Sequence, residues 1–240
     1  MTADNTVLLE VANLNAYYGR AQILFDLNLT VRRREVVALM GRNGAGKSST
    51  LKALIGLIER TGEQISFLGR DIRRLDPYRI ARMGIGFVPE ERRIFTELTV
   101  MENLEAGRQP RRAGMREWTP VALFELFPNL GRMRRRRGGE MSGGEQQMLT
   151  IARTLMGNPY LLLLDEPSEG IAPVIVEQVA RTVLELKREG LAIVLSEQNL
   201  PFAASVSDRV YVLESGHLRH QSSIAQLLTD SDVQHTYLAV

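Results

Sequence analysis

The 240-residue chain contains no cysteine. A disulfide scaffold, a thiolate zinc site and a thiol nucleophile are therefore excluded. Histidine is scarce: His217, His220 and His235 are the three, too scattered for a metal-binding tract. Lysine occurs only as Lys47, Lys52 and Lys187, so nearly every cation is arginine. Long apolar runs are missing as well. The longest span five residues, such as Val36–Met40 and 191–195, whereas a membrane-spanning helix needs about 20. The opening Met-Thr-Ala-Asp-Asn has neither a basic nor an apolar region, so no secretory leader is expected and the default compartment is the cytoplasm. Internal repeats and low-complexity segments are absent.

What is there has the balance of an average soluble protein, which excludes general disorder and fibrous repeats: 44% hydrophobic, 24% charged, and 30 basic against 28 acidic residues. A chain of this length buries about 70–75% of its unfolded surface, enough for one domain with or without a subdomain. Arginine is locally dense. Arg132, Arg134, Arg135, Arg136 and Arg137 form one cluster, preceded by Arg108, Arg111, Arg112 and Arg116. Such a cluster could meet phosphates, anionic lipid or an acidic partner, or be a solvated loop. No aromatic stripe interleaves it, as a nucleic-acid surface would show.

Apolar patterning orders the chain. Residues 7–11 and 27–31 alternate like half-buried strands, and 35–40 reads as a buried strand. A glycine-rich turn and a helix over 47–58 follow. Short strands are expected at 64–68 and 86–88. Residues 99–157 read as helical, interrupted by Pro110, Pro120 and Pro128. Strand 160–164, helix 174–189, strand 191–195, a short helix after Asn199 and strand 209–213 complete an alternating α/β pattern.

Three segments carry chemistry. Gly41-Arg42-Asn43-Gly44-Ala45-Gly46-Lys47-Ser48 fits G-x-x-x-x-G-K-[ST] between an expected strand and helix, the context that confirms a phosphate loop. Its glycines let backbone N–H groups converge on phosphate oxygens, and the helix dipole adds positive potential. Lys47 suits the β- and γ-phosphates, and Ser48 offers a hydroxyl to Mg²⁺; Asn43 and Ser49 complete the candidate nucleotide contacts. Second, the apolar run 161–164 ends in Asp165-Glu166. A strand-end Asp can hold Mg²⁺, and the carboxylate after it can polarise water as a general base; an acidic turn is the plainer alternative. Third, Ser142-Gly143-Gly144-Glu145 lies 23 positions before Asp165. It reads as a capped helix start, a second anion site. Two phosphate grips in one chain suggest two ATP molecules shared across a dimer.

With these segments the chain resembles the ATP-binding-cassette family, whose signature is L-S-G-G-Q; here its first position is Met141 and its fifth Glu145. The resemblance covers nearly the whole chain. It implies a P-loop NTPase (RecA-like) α/β core, an N-terminal antiparallel β subdomain and an inserted α-helical subdomain. The chain is expected to be a single domain over 1–240, with the core at 1–89 and 158–240 and the helical part at 90–157. The family's nucleotide contacts map onto Tyr18 (adenine stacking), Gly41, Asn43, Gly44, Gly46, Lys47, Ser48 and Ser49, with Ser142, Gly143, Gly144 and Glu145 facing the partner's ATP. Tyr17, beside Tyr18, reads equally well as core. Glu166, Glu90 and Gln198 map onto the catalytic positions, and Ser48, Asp165 and Glu90 onto the metal. Three positions depart from the general pattern: Glu90 replaces a Gln, Gln198 replaces the switch His, and Ala172 replaces an Asp. A carboxylate at Glu90 still ligates Mg²⁺, and Gln198 still donates a hydrogen bond.

Those departures, with Glu197-Gln198-Asn199 and 168–173, resemble the subgroup that powers import of branched-chain amino acids and related amides or acids. That resemblance implies ATP and Mg²⁺, a second ATPase subunit (non-identical or a second copy), two membrane permeases and a periplasmic binding protein. It places the chain on the inner face of the membrane and calls for no nucleic acid. A non-transport cytosolic ATPase of the same fold, acting on nucleic acid or a protein complex, is the alternative. Chromosome-associated members need a long coiled coil, yet Ser142 comes only 95 positions after Lys47 and no sustained heptads intervene. A slow regulatory partner is the third reading, opposed by intact Lys47, Ser48, Asp165 and Glu166. Trp118, Met141 and Met148 are expected to pack in the core.

Overall fold

A computed structural model describes residues 6–238; the opening Met-Thr-Ala-Asp-Asn and both outer limits of the expected 1–240 domain lie outside the described residues. Two long strands, β1 (Val7–Tyr18) and β2 (Ala21–Arg32), precede the buried strand β3 (Val36–Met40) and helix α1 (Lys47–Leu54). Short strands β4 (Glu59–Thr61), β5 (Gln64–Phe67) and β6 (Arg70–Asp71) lead to α2 (Pro77–Met83) and β7 (Ile85–Val88). Helices α3 (Val100–Ala106), α4 (Pro120–Leu126), α5 (Pro128–Arg132) and α6 (Gly143–Leu155) follow in succession. Alternation resumes with β8 (Leu161–Asp165), α7 (Pro173–Arg188), β9 (Ala192–Glu197), α8 (Leu200–Val206) and β10 (Arg209–Glu214). The edge strand β11 (His217–Ser223) and helix α9 (Ile224–Thr229) come next.

Two sheets result. The first runs β2-β1-β5-β6, with β4 also paired to β1, and all its pairs are antiparallel. The second runs β11-β10-β3-β9-β8-β7. Its four pairings from β10 to β7 are parallel, and only β11 is antiparallel. The parallel strands are buried on both faces, which is why they read as unbroken apolar runs. Side chains alternate between two cores: Ala38, Met40, Leu162, Leu164, Ile193 and Leu195 face the helices of one. Val37, Leu39, Leu161, Leu163, Ala192 and Val194 face α1 and the antiparallel sheet in the other. Each leucine fully buried in this way contributes about 1.5–3 kcal/mol.

Local differences from the sequence reading have physical causes. The helix expected over 47–58 stops at Leu54, because Gly56 takes φ +79° and its N–H closes on the Ala53 carbonyl, a left-handed helix end. The helical stretch 99–157 holds four helices with an irregular linker at 107–119, as its prolines require. The β11 strand, polar and without alternation, gave no periodic signal. Trp118, Met141 and Met148 are buried in the first core. Among the described residues, no helix is long and apolar enough to cross a membrane.

Candidate active site

Parallel register brings distant motifs together. Met40 pairs with Glu197, and Asp165 pairs with Ser196. The turns beginning at Gly41, Glu166 and Gln198 therefore leave the sheet side by side at its carboxyl edge, where ligands bind in open α/β sheets. A cleft of about 570 Å³ opens there, lined among others by Asn43, Lys47, Ser48, Glu90, Glu166 and Glu169.

The phosphate loop rests directly on the turn after β10. Gly41 has φ +147°, and a Cβ there would lie 2.2 Å from the Leu213 carbonyl oxygen; both conformation and space require glycine. The Gly216 N–H donates to the Ala45 carbonyl at 3.0 Å, fastening the loop from the other side. Helix α1 starts after Gly46, which supplies no side-chain cap, so its first N–H groups remain available to an anion. Lys47 is only 4% exposed. Its ammonium donates to the Gly41 carbonyl at 3.0 Å and the Arg42 carbonyl at 3.3 Å, and it pairs with Glu166 Oε1 at 3.2 Å.

Ser196, which the sequence reading gave no role, organises the acid pair. Its buried hydroxyl donates to Asp165 Oδ1 at 2.7 Å and accepts from the Glu166 N–H at 2.9 Å. Glu166 itself takes φ +45°, a strained backbone for a non-glycine residue of the kind found at functional sites. Gln198 Nε2 donates to Glu166 Oε2 at 3.0 Å and to Asn43 Oδ1 at 2.7 Å, joining Glu166 to the loop after β3. Buried Glu197 accepts from the backbone N–H of Ser168 at 3.0 Å and of Asn199 at 3.2 Å, tying together the two loops that flank the cleft.

Carboxylates dominate the electrostatics. Burial works to raise the Glu166 carboxyl, but hydrogen bonds with Glu169 and Gln198 and the Lys47 charge outweigh it and hold Glu166 below its ordinary value. Glu169 is pushed up to about 7 by its hydrogen bond with Glu166, then by burial and the nearby negative charges. Burial, followed by the charges of Glu166 and Asp165, raises Glu90. The hydroxyl of Ser48 and the carboxylates of Asp165 and Glu90 are hard oxygen donors, and no group of three or more His, Asp or Glu forms a cage among the described residues. That donor set fits Mg²⁺, which takes one or two carboxylates and completes its shell with water and phosphate.

Not every expected contact lies in this cleft. Tyr18 is 48% exposed and outside the lining, whereas Gln22, Ile23, Phe25 and Ser215 form part of the wall. The Phe25 ring stacks on His217 with centroids 4.6 Å apart. Ser142 caps α6 in a reciprocal box: its hydroxyl accepts from the Glu145 N–H, and Glu145 Oε2 accepts from the Ser142 N–H at 2.7 Å. Gly143 and Gly144 pack beside Arg92 and Ile175. None of these four lines the cleft formed by the chain's own phosphate loop. Ser196, buried below the cleft, and Glu169, in its lining, were missed: the first depends on strand register and the second on the path of the loop after β8, and only their closeness to Gln198 and Glu166 in the chain hinted at them.

Residues 24–169 match the family described as ABC transporter. The chain belongs to the ABC transporter family. Like other cassettes of that family it binds ATP and ADP and is an ATPase, and such cassettes work as pairs with membrane components. It is 42% identical over 231 residues to the high-affinity branched-chain amino acid transport ATP-binding protein BraG of Pseudomonas aeruginosa, covering 96% of this chain and 99% of that one. It is 35% identical to the lipopolysaccharide export system ATP-binding protein LptB of Escherichia coli, covering 96% of each chain. A crystal structure of a nucleotide-free ATP-binding cassette from an ABC transporter matches with a TM-score of 0.81 at 26% identity, covering 95% of this chain and 97% of that one. An ATP-binding cassette in its ADP conformation also matches at 0.81, with 26% identity and coverage of 96% and 98%.

Proposed function

We propose that this chain is the ATP-hydrolysing subunit of an importer for branched-chain amino acids or related small amides and acids. The observation that carries the reading is the 42% identity to BraG across nearly the full length of both chains. In this reading the chain sits at the inner face of the membrane beside two permeases. A periplasmic binding protein delivers the solute, and no nucleic acid takes part. The core comprises 1–89 and 158–240, and 90–157 forms the helical subdomain.

The geometry of the cleft supports the roles proposed for the residues in and around it. Phosphate oxygens meet the N–H groups of the loop containing Gly41, Asn43, Gly44 and Gly46, together with Lys47 and Ser49. Tyr18 offers its exposed ring to the base. Ser48, Asp165 and Glu90 would hold Mg²⁺, which when bound neutralises charge on the phosphate oxygens. Glu166 takes a proton from the attacking water as the γ-phosphate is transferred to it and ADP leaves. Gln198 orients Glu166 and the phosphate. Because Ser142, Gly143, Gly144 and Glu145 lie outside their own cleft, they serve the ATP of a second cassette, either non-identical or a second copy.

A groove of about 550 Å³ between α2 and the α3–α6 helices supplies the membrane coupling. Exposed Tyr78 and Phe95 line it, with Arg153 held 5.0 Å over the Phe95 ring. An aromatic-lined groove of this kind accepts a short helix of a permease. LptB supports a second reading, export of lipopolysaccharide. Uptake of radiolabelled leucine, urea and short amides in cells whose chain carries Glu166→Gln decides between them. Loss of one of these uptakes is expected. Normal uptake with depleted surface lipopolysaccharide would overturn import in favour of export.

A further inference from the structure

A basic cavity lies away from the nucleotide cleft. Leu68, Arg70, Arg82, Met83 and Arg112 enclose about 400 Å³. Its three cations come from three separate segments: β6, α2 and the linker between α3 and α4. No carboxylate lines it. Neighbouring Arg73, Arg79 and Arg108 each pair with an acid, Asp71, Asp76 and Glu105 respectively. Arg70, Arg82 and Arg112 pair with none among the described residues.

Arg112 is the most constrained of the three. Its Nη1 donates to the Arg82 carbonyl at 2.7 Å and its Nη2 to the Ala81 carbonyl at 3.3 Å. The guanidinium lies 5.9 Å from the centroid of the Tyr160 ring, and its Nε is buried without a hydrogen-bond partner. Every group that holds it is therefore neutral. Burial lowers its pKa, with only Tyr160 acting in the other direction. A partly buried cation without a counter-charge is costly, and an anion supplied from outside removes that cost.

We propose that this cavity binds one phosphate group of a phosphate ester between Arg70, Arg82 and Arg112. The planar fork of arginine matches phosphate oxygens two at a time, and three arginines from different segments line this one cavity. A stripe of cations along one face would be needed to follow a polymer. Leu68 and Met83 flank the charges, so the rest of the ester meets apolar surface. A phospholipid headgroup and a soluble phosphate ester share this chemistry. Arg82 also lines the groove between α2 and the helices, so the cavity continues onto that surface.

Two binding measurements on the full chain, saturated with ADP, test the site in wild type, Arg70→Gln and Arg112→Gln. One titrates inorganic phosphate by calorimetry. The other sediments the protein with vesicles of phosphatidylglycerol and phosphatidylcholine, against phosphatidylcholine alone. Affinity in at least one arm should fall about tenfold in each variant, the loss of one charge-assisted bond, with ADP affinity unchanged. Binding in the calorimetric arm identifies a soluble ester; binding confined to the anionic vesicles identifies a headgroup. No binding in either arm, or equal binding by wild type and both variants, overturns the proposal. Arg70 is exposed and lies in the short outer strand β6, so its variant stays informative even if Arg112→Gln is unstable.

Discussion

Ser196→Ala removes one oxygen from the centre of the site. That oxygen donates to Asp165 Oδ1 at 2.7 Å and accepts from the Glu166 N–H at 2.9 Å, and both Ser196 and Asp165 are at most 1% exposed. A hydrogen bond to a charged group is worth about 1.5–3 kcal/mol. The Glu166 N–H keeps a second acceptor, the Ser196 carbonyl at 3.2 Å, so its share of the loss is small. The sum is about 2 kcal/mol, dominated by the Asp165 bond. In a domain of this size each kcal/mol moves Tm by about 2–4 °C, so a fall of about 4–8 °C is expected. The same loss frees the Asp165 carboxylate to turn and loosens the backbone that aims Glu166. Misplacement by a fraction of an ångström should lower kcat about tenfold or more, with the KM for ATP little changed. Thermal unfolding and steady-state phosphate release measure the two effects. A Tm within about 1 °C of wild type together with unchanged kcat would falsify the role given to Ser196.

Three further perturbations have definite expected outcomes. Gly41→Ala should destabilise the fold by about 3 kcal/mol, from a strained φ and a collision with Leu213. Gly44→Ala, where a Cβ meets nothing within 4 Å, should cost about 1 kcal/mol; equal midpoints in urea for the two variants would contradict this. Glu169 has a folded pKa of about 7 against an ordinary 4.5, so its contribution is fully present below pH 4.5 and is lost as pH rises through 7. Glu166 is shifted downward, so its opposite contribution is lost as pH falls below 4.5. Stability measured between these limits should therefore decline with rising pH, and Glu169→Gln should flatten that decline; an unaltered slope would refute the pairing. Tyr18→Ala should raise the KM for ATP about tenfold at constant kcat, given about 1–3 kcal/mol for stacking one base, and an unchanged KM would move the base elsewhere.

Much of the candidate site is legible in the sequence. The phosphate loop needs glycine at fixed offsets because backbone must approach phosphate closely, and that requirement survives as spelling: Gly41, Gly44, Gly46, Lys47, Ser48. Leu161 to Leu164 followed by Asp165 and Glu166 reads as a buried strand ending in acids for a comparable reason, since a strand covered on both faces must be apolar until it leaves the sheet. Ser196, Glu197 and Glu169 were illegible because a hydroxyl or carboxylate in a short motif has no signature of its own. Their meaning comes from lying opposite Asp165, Ser168 and Glu166 across residues far away in sequence or folded back on themselves. The polar edge strand β11 was missed for want of alternation, and the early end of α1 because Gly56 decides it against an otherwise helical pattern.

Sequence alone determined local features of the chain: which segment is spelled as a phosphate loop, which carboxylates stand at a strand end, and which apolar runs form the core. Those are local properties, set by residue type and spacing. Tertiary structure alone decided the neighbours. Parallel register placed Gln198 between Asn43 and Glu166 and Ser196 beneath the acid pair, and it kept Ser142 to Glu145 out of the cleft made by their own phosphate loop. The tertiary fold also gathered Arg70, Arg82 and Arg112 around one cavity from three segments that nothing in their spacing connects. Contacts of this kind depend on how strands pair and helices cross, and a one-dimensional pattern does not record either.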